Sequence, residues 1–240
     1  MESEDIKEKQ NEKTTEIERN AVNENKSIEN NLVEKSEGNP IASLLEAGVQ
    51  IATKTKSPGM KRFIYKVRED GLYLLDVKTI NLKIKVAAAM IARYNPKDIV
   101  VTASRIYAVV AAEKFSEIIG ATFIKGRVTP GIFTNPNKKD YMEKKLIIIS
   151  DSRNEKQAIK EASMENIPII ALCDTDNSTK FIDLIIPANN RGRKSLAYIY
   201  YLLAREVLLQ RKEINNYDEF KHNISEFEAQ MESKPTLQQA

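Results

Sequence analysis

From about residue 39 onward, short apolar runs alternate with longer amphipathic stretches. Ile41, Leu44, Leu45 and Val49 recur at helical spacing, and Gly48 stands where such a helix closes. Leu72–Leu75 predicts a short strand opened by an Asp70-Gly71 turn. Leu82, Val86, Ala89, Met90 and Arg93 mark a helix over Thr79–Tyr94, with Pro96 as its stop signal. The pattern then becomes regular. It predicts strand Ile99–Thr102, helix Ile106–Ile119 closed by Gly120, and strand Thr122–Ile124. After a loop reading GRVTPGIFTNPN come strand Leu146–Ile149, helix Glu155–Met164 and, behind Pro168, strand Ile169–Cys173. A strand within Phe181–Ile186 ends at Pro187, and a long helix runs from Ser195 or a neighbour to about Leu209.

Strands of almost uninterrupted apolar residues are buried on both faces, and their alternation with amphipathic helices is the mark of βαβ crossovers. The pattern predicts one doubly wound, mostly parallel α/β domain over 39–210. Residues 1–38 are rich in Glu, Lys, Asn and Ser and nearly free of aromatics, so they are expected to be disordered. In 211–240, Tyr217, Phe220, Ile224 and Phe227 share helical spacing, which predicts a short docking helix before a loose final ten residues.

Charge changes this picture more than composition does. The chain of 240 residues carries a net +3. Residues 1–38 hold 6 Lys/Arg and 11 Asp/Glu, 211–240 hold 4 and 6, and the body between them holds 27 and 17. A body of +10 between acidic ends favours a polyanion, with nucleic acid the commonest. One cysteine, Cys173, and one histidine, His222, exclude a disulfide framework, a Cys-rich zinc module and a Ser-His-Asp triad. Cys173, ending an apolar strand, reads as a small buried hydrophobe, and His222 as an exposed residue without a chemical role. The longest run of Ala, Val, Ile, Leu and Met, Val86–Ala92, is too short to span a bilayer, and the N-terminus has no export signal, so a cytosolic protein is expected.

In open α/β sheets, ligands meet the chain beyond the carboxyl ends of the strands. Those ends collect Arg105, Lys125, Arg127, Arg153, Arg191, Arg193 and Lys194, together with Asp151, Asp174 and Asp176. The three aspartates admit an enzyme reading, a Mg²⁺–phosphate site of a sugar-phosphate or nucleotide enzyme. No Gly-rich phosphate loop supports it. The plainer reading is Asx-turns, helix caps and pairs with nearby arginines. The basic clusters fit RNA better. Lys54, Lys56, Lys61, Arg62, Lys66 and Arg68 surround Phe63 and Tyr65, Arg191, Arg193 and Lys194 open a helix, and Lys138, Lys139, Lys144 and Lys145 lie in a loop. Arg62, Arg127, Arg191 and Arg193 have guanidinium forks suited to phosphate, Lys54, Lys56, Lys61 and Lys194 supply longer-range charge, and Lys138 and Lys139 complete the expected RNA-binding residues.

Five segments carry a more specific signal: RFIYKVREDGLYLLDVKTI (62–80), GRVTPGIFTN (126–135), SDSRNEKQAIKEA (150–162), IPIIALCDTDN (167–177) and DLIIPANNRGRKSLAYIYYLLAREVL (183–208). Together, and in order over about 39–211, they resemble the small-subunit ribosomal protein S-two family in its archaeal and eukaryotic form, also called the laminin-receptor precursor. The resemblance implies a flavodoxin-like sheet, no catalysis and no cofactor. It implies a ribosome-bound place between head and body of the small subunit, with ribosomal RNA and neighbouring ribosomal proteins as partners and neither membrane nor small-molecule substrate. The alternatives are the enzyme above and a regulatory adaptor off the ribosome. Only PNKKDYMEKK separates Asn135 from Leu146, so the long helical hairpin of the bacterial form has no room. Gln50 and Ala52 replace the His and second Gly of the family's G-V-H-I-G-T pattern. Residues 1–38 have no counterpart in the family pattern, the long acidic C-terminal tail of the family's animal members is missing here, and an archaeal source fits best.

Overall fold

Ile, Val and Leu dominate four of the five strands that pair in parallel, the composition a sheet covered on both faces requires, and only the edge strand Thr122–Lys125, reading TFIK, departs from it. The structure, a computed structural model, describes residues 40–229. The chain divides into Met1–Ser43 and Leu44–Ala240; of the first unit only Pro40–Ser43 is described, and the sheet with its loops belongs to the second. The expected disorder of 1–38 and the loose final residues lie outside the described residues.

The elements are helix α1 (Pro40–Glu46), strands β1 (Ile64–Val67) and β2 (Tyr73–Leu75), helix α2 (Val77–Ile91), strand β3 (Ile99–Ala103), helix α3 (Ile106–Ile119), and strands β4 (Thr122–Lys125) and β5 (Leu146–Ile149). Helix α4 (Lys156–Met164), strands β6 (Ile169–Cys173) and β7 (Leu184–Pro187), and helices α5 (Arg193–Gln210) and α6 (Ile224–Phe227) follow. The main sheet has the order β4-β3-β5-β6-β7 with every pair parallel, while β1 and β2 form a separate antiparallel hairpin. Numbered within the sheet, this is the 2-1-3-4-5 order of flavodoxin-like folds, with the switch point between β3 and β5. Right-handed crossovers leave that point in opposite directions, so α3 and α4 cover opposite faces.

The α3 face is thick. Helix α5 packs against both α2 and α3, and twelve of its eighteen residues are buried, as in a helix that is apolar nearly all round. Gly120 closes α3 in the left-handed region at φ 73°, where a side chain is disfavoured. The α4 face is covered largely by irregular chain. The 126–145 loop buries Val128, Ile132 and Phe133, and the backbone N–H groups of Gly131 and Phe133 donate to the buried Glu161 carboxylate of α4 at 2.8 and 3.3 Å. The helix-free connection between β6 and β7 is covered by residues 53–63, held by Ser57 N–H donating to the Thr175 carbonyl at 2.7 Å. Any Cβ on Gly59 would lie 1.9 Å from Thr179 Oγ1, so only glycine permits this approach.

The main strands and helices fall within a few residues of the expected positions. Strand β1 is new: only Ile64 faces inward while Tyr65, Lys66 and Val67 are exposed, so the segment shows no apolar alternation and pairs through its backbone. Helix α2 is where expected but turns a different face inward. Leu82 and Val86 are 60% and 45% exposed, and the buried stripe is Ile80, Ile84, Ala87, Ala88 and Ile91. Two apolar stripes at helical spacing share this helix, and the sheet takes the β-branched one. Asp76 caps it, accepting from Lys78 N–H and Thr79 N–H, which moves its start ahead of Thr79. Pro187 is the last residue of β7, an edge strand, where a missing N–H is tolerated. The C-terminal segment is a 3₁₀ turn (Tyr217–Glu219) and the four-residue α6 rather than one helix, with Phe220 and Phe227 buried edge-on to Tyr201. Among the described residues no helix is long and apolar enough to cross a membrane.

Candidate nucleic-acid interface

The switch-point crevice is where this topology offers a ligand site, and here the protein's own side chains occupy it. Glu155, instead of capping α4, turns into the crevice beyond β3. Its carboxylate accepts from Thr102 Oγ1, from Ser104 N–H at 3.1 Å and from Ser104 Oγ at 3.2 Å. Burial pushes the Glu155 carboxyl up to about 7. Beside it, Asp151 is fully buried and accepts from Arg153 N–H (2.9 Å), Asn177 Nδ2 (3.0 Å), Asn190 Nδ2 (3.4 Å) and Arg105 Nε (2.7 Å). Below them Ser150 Oγ and the Tyr200 hydroxyl lie 2.6 Å apart, and burial raises the Tyr200 pKa.

The other two aspartates follow the same rule. Asp176 pairs with Arg153 Nη1 at 2.7 Å and with Arg191 Nη2, and Asp174 lies 3.6 Å from Arg191 Nε. Asp174 also accepts from Thr175 N–H at 2.6 Å, and burial pushes its carboxyl up to about 6. The Asx-turn and arginine-pair reading of these acids therefore describes their geometry. Among the described residues no group of three or more His, Cys, Asp or Glu is arranged to hold a metal ion. Cys173 is buried, and its thiol is pushed up to about 12, so it behaves as the small hydrophobe the sequence implies.

The basic residues divide into paired and unpaired sets. Lys54, Lys56, Lys61, Arg62 and Lys66 are exposed and enter no ion pair among the described residues. Lys56 Nζ sits 5.1 Å from the Tyr73 ring centroid and the Arg62 guanidinium 4.8 Å from that of Phe63, contacts that hold both cations without neutralising them. Tyr65, 77% exposed, projects from β1 among them. Arg127, Lys139 and Lys194 are likewise exposed and outside any ion pair among the described residues, and Lys138 Nζ donates to the Pro130 carbonyl at 3.2 Å. Arg191 and Arg193 are different: Arg191 serves Asp174 and Asp176, and Arg193 pairs with Glu228 at 2.8 Å. Lys145 pairs with Asp98 at 2.8 Å, and Lys144 donates to the Lys97 carbonyl and Thr122 Oγ1.

Three buried carboxylates have no part in the sequence-based expectations, Glu155, Glu161 and Glu206, and the first two left a signal. Glu155 stands at a helix start where Ser or Asp is the usual cap. Glu161 lies on the same helical face as Ala158 and Ala162, in the apolar stripe. His222 departs from expectation: it is half-buried, edge-on to Phe220, with Nδ1 3.0 Å from the Glu226 carboxylate. Glu226 also holds Lys114 at 3.3 Å, and its backbone and His222 hydrogen bonds lower its carboxyl to about 2. Ala52 is buried and Gln50 Nε2 donates to the Leu45 carbonyl, so both departures from the G-V-H-I-G-T pattern lie within the packed start of the domain.

Strand order and switch point define a doubly wound α/β domain of flavodoxin topology. A profile of the family described as Ribosomal protein S2 matches residues 137–209. Small ribosomal subunit protein uS2 of Thermoplasma acidophilum is 55% identical over 186 residues, 78% of this chain and 94% of that protein. Its counterpart from Thermoplasma volcanium is 53% identical over the same length, with the same shares of the two chains. That of Saccharolobus solfataricus is 46% identical over 192 residues, 80% of this chain and 83% of its own. The chain belongs to the uS2 family of ribosomal proteins, in its archaeal form. The 136–145 segment contains no helix, in keeping with the expected lack of the bacterial hairpin.

Proposed function

We propose that this chain is a structural constituent of the small ribosomal subunit, ribosome-bound in the cytoplasm, that binds ribosomal RNA and neighbouring ribosomal proteins and catalyses nothing. The observation that carries the reading is the identity of 46–55% to proteins named for that subunit. The physical mechanism is scaffolding. Exposed Lys and Arg neutralise phosphates and release counterions, giving affinity without sequence readout, while folded RNA is recognised by shape and backbone.

The unpaired cations are the interface: Lys54, Lys56, Lys61 and Arg62 on the 54–68 strip, with Arg127, Lys138, Lys139 and Lys194 as outlying contacts. Arg191 and Arg193 contribute after exchanging a carboxylate for a phosphate, a smaller net gain because the acid left behind loses its partner. Supporting the absence of catalysis is a switch-point crevice filled by Glu155, Asp151 and Arg105. The stripe of Leu82 and Val86 on α2 is offered to protein neighbours. A sucrose-gradient profile tests the reading: the protein is expected with small subunits, and a predominantly free pool would contradict it.

A further inference from the structure

A concavity of about 420 Å³ opens at the carboxyl edge between the 55–57 segment and the start of α4, lined by Thr55, Lys56, Ser57, Arg153, Lys156, Asp176 and Ser178. Three observations make it more than a gap between loops. Two lysines from segments a hundred residues apart converge on it, both exposed and outside any ion pair among the described residues. The N-terminus of α4 has no side-chain cap, because Glu155 is engaged elsewhere, so helix-end N–H groups and the helix dipole add positive potential. Two polar atoms of its wall are buried without a partner, Ser57 Oγ and Asp176 Oδ1. The Asp176 side chain is 7% exposed; its other oxygen takes Arg153 and Arg191, so one acceptor remains unfilled in a dry position.

The wall thus offers cations and a helix terminus beside an orphan carboxylate oxygen and an orphan hydroxyl. A bare phosphate fits the first pair and is repelled by the carboxylate. A ribonucleotide suits both: its phosphate meets Lys56 and Lys156, and a ribose hydroxyl donates to Asp176 Oδ1 once the side chain turns that buried oxygen into the concavity, as acidic residues take ribose hydroxyls elsewhere. We propose that this concavity binds a ribose–phosphate unit through its phosphate and its 2′-hydroxyl, so that the domain prefers RNA to DNA here. The proposal rests on the RNA-binding reading for the source of that unit, the RNA backbone; a free ribonucleotide shares the chemistry.

The test compares full-length protein binding poly(A), poly(dA) and 2′-O-methyl poly(A) of equal length. Poly(A) is expected to bind about tenfold tighter than either, the value of one hydrogen bond to a charged acceptor. Asp176→Ala removes that preference and, by freeing Arg153 and Arg191, leaves or raises affinity for poly(dA). Lys56→Gln with Lys156→Gln reduces the salt slope of poly(A) binding by about one, the signature of one clamped phosphate. Adenosine monophosphate separates the sources. Saturable binding that the double lysine variant abolishes, with polymer binding untouched, assigns the site to a free nucleotide and overturns the backbone assignment. Equal affinity of the unaltered protein for all three polymers overturns the proposal, and so does a preference that survives Asp176→Ala; the methylated polymer tests it without any substitution. If the protein sediments with small subunits yet shows no preference, only this inference fails. If it is absent from subunits but prefers poly(A), the ribosomal reading fails instead.

Discussion

At the carboxyl edge of the sheet, Asp151, Asp174, Asp176 and Glu155 are matched by Arg105, Arg153, Arg191, two asparagines and backbone N–H groups. Along 54–68, by contrast, five of the six cations stand in solvent with no carboxylate in contact among the described residues, two of them over aromatic rings, and only Arg68 is paired, with Asp70 at 3.3 Å. Both regions are rich in charge. In the first, charge is used inward: buried acids are costly unless they are paired and hydrogen-bonded, and the network ties together the four loops that follow β3, β5, β6 and β7. In the second, charge is left outward, where a polyanion can collect it. Counting charges does not separate the two; counting partners does. That is also why the switch point, where this fold elsewhere holds cofactors, is lined in this chain by side chains that bond to one another, Glu155 to Ser104 and Asp151 to Arg105.

Substitutions in the two regions are expected to fail in opposite ways. Asp151→Ala strands Arg105 and two buried asparagines and is expected to cost about 3–5 kcal/mol in denaturant unfolding, the range for breaking a buried pair. RNA affinity per folded molecule stays unchanged. Lys61→Glu with Arg62→Glu does the reverse. Unfolding moves by less than about 0.5 kcal/mol, while RNA affinity measured by filter binding falls by about ten- to a hundredfold near 0.15 M salt. A shared loss of stability and affinity in either variant would erase the distinction between the regions.

Smaller effects sharpen it. Glu155 has its folded pKa raised to about 7 from 4.5, so the folded state holds more protons between those values. Stability therefore declines as pH rises from about 4.5 to 7, by at most about 1.4 kcal/mol per pH unit, and flattens above. Asp174, raised to about 6, adds to the lower part of that window. Glu155→Gln is expected to remove most of the slope in unfolding curves taken across this range. Arg193→Ala should be the mildest change: its pair with Glu228 is partly exposed on both sides, and such pairs contribute under about 1 kcal/mol. Thermal unfolding reads this directly, and a loss above about 2 kcal/mol would show that this one pair, rather than the buried Phe220 and Phe227, holds the C-terminal segment in place.

Much of the fold was legible because strands such as Leu146–Ile149 and Ile169–Cys173 have no polar interruption, and Gly120 and Pro168 punctuate them. Strand β1 was not, because a hairpin held by backbone pairing leaves no mark in the side-chain pattern. The buried face of α2 was hidden by a second apolar stripe, which only the packing of α5 and β7 resolves. The site divided similarly. Exposed lysines at 54, 56 and 61 could be read as a basic cluster. The fate of Arg191 and Arg193 depends on Asp176 and Glu228, whose approach is a matter of tertiary geometry. Concavities built from residues as distant as Lys56 and Lys156 have no sequence signature at all.

We propose that the free cations of the 54–68 strip anchor this uS2-family chain in the small subunit. Sucrose-gradient sedimentation of cells expressing the tagged wild type and the Lys61→Glu/Arg62→Glu variant tests it most directly, with circular dichroism confirming that the purified variant is folded. The wild type is expected with small subunits and the folded variant at the top of the gradient; a folded variant that sediments with subunits at the wild-type level would contradict the claim.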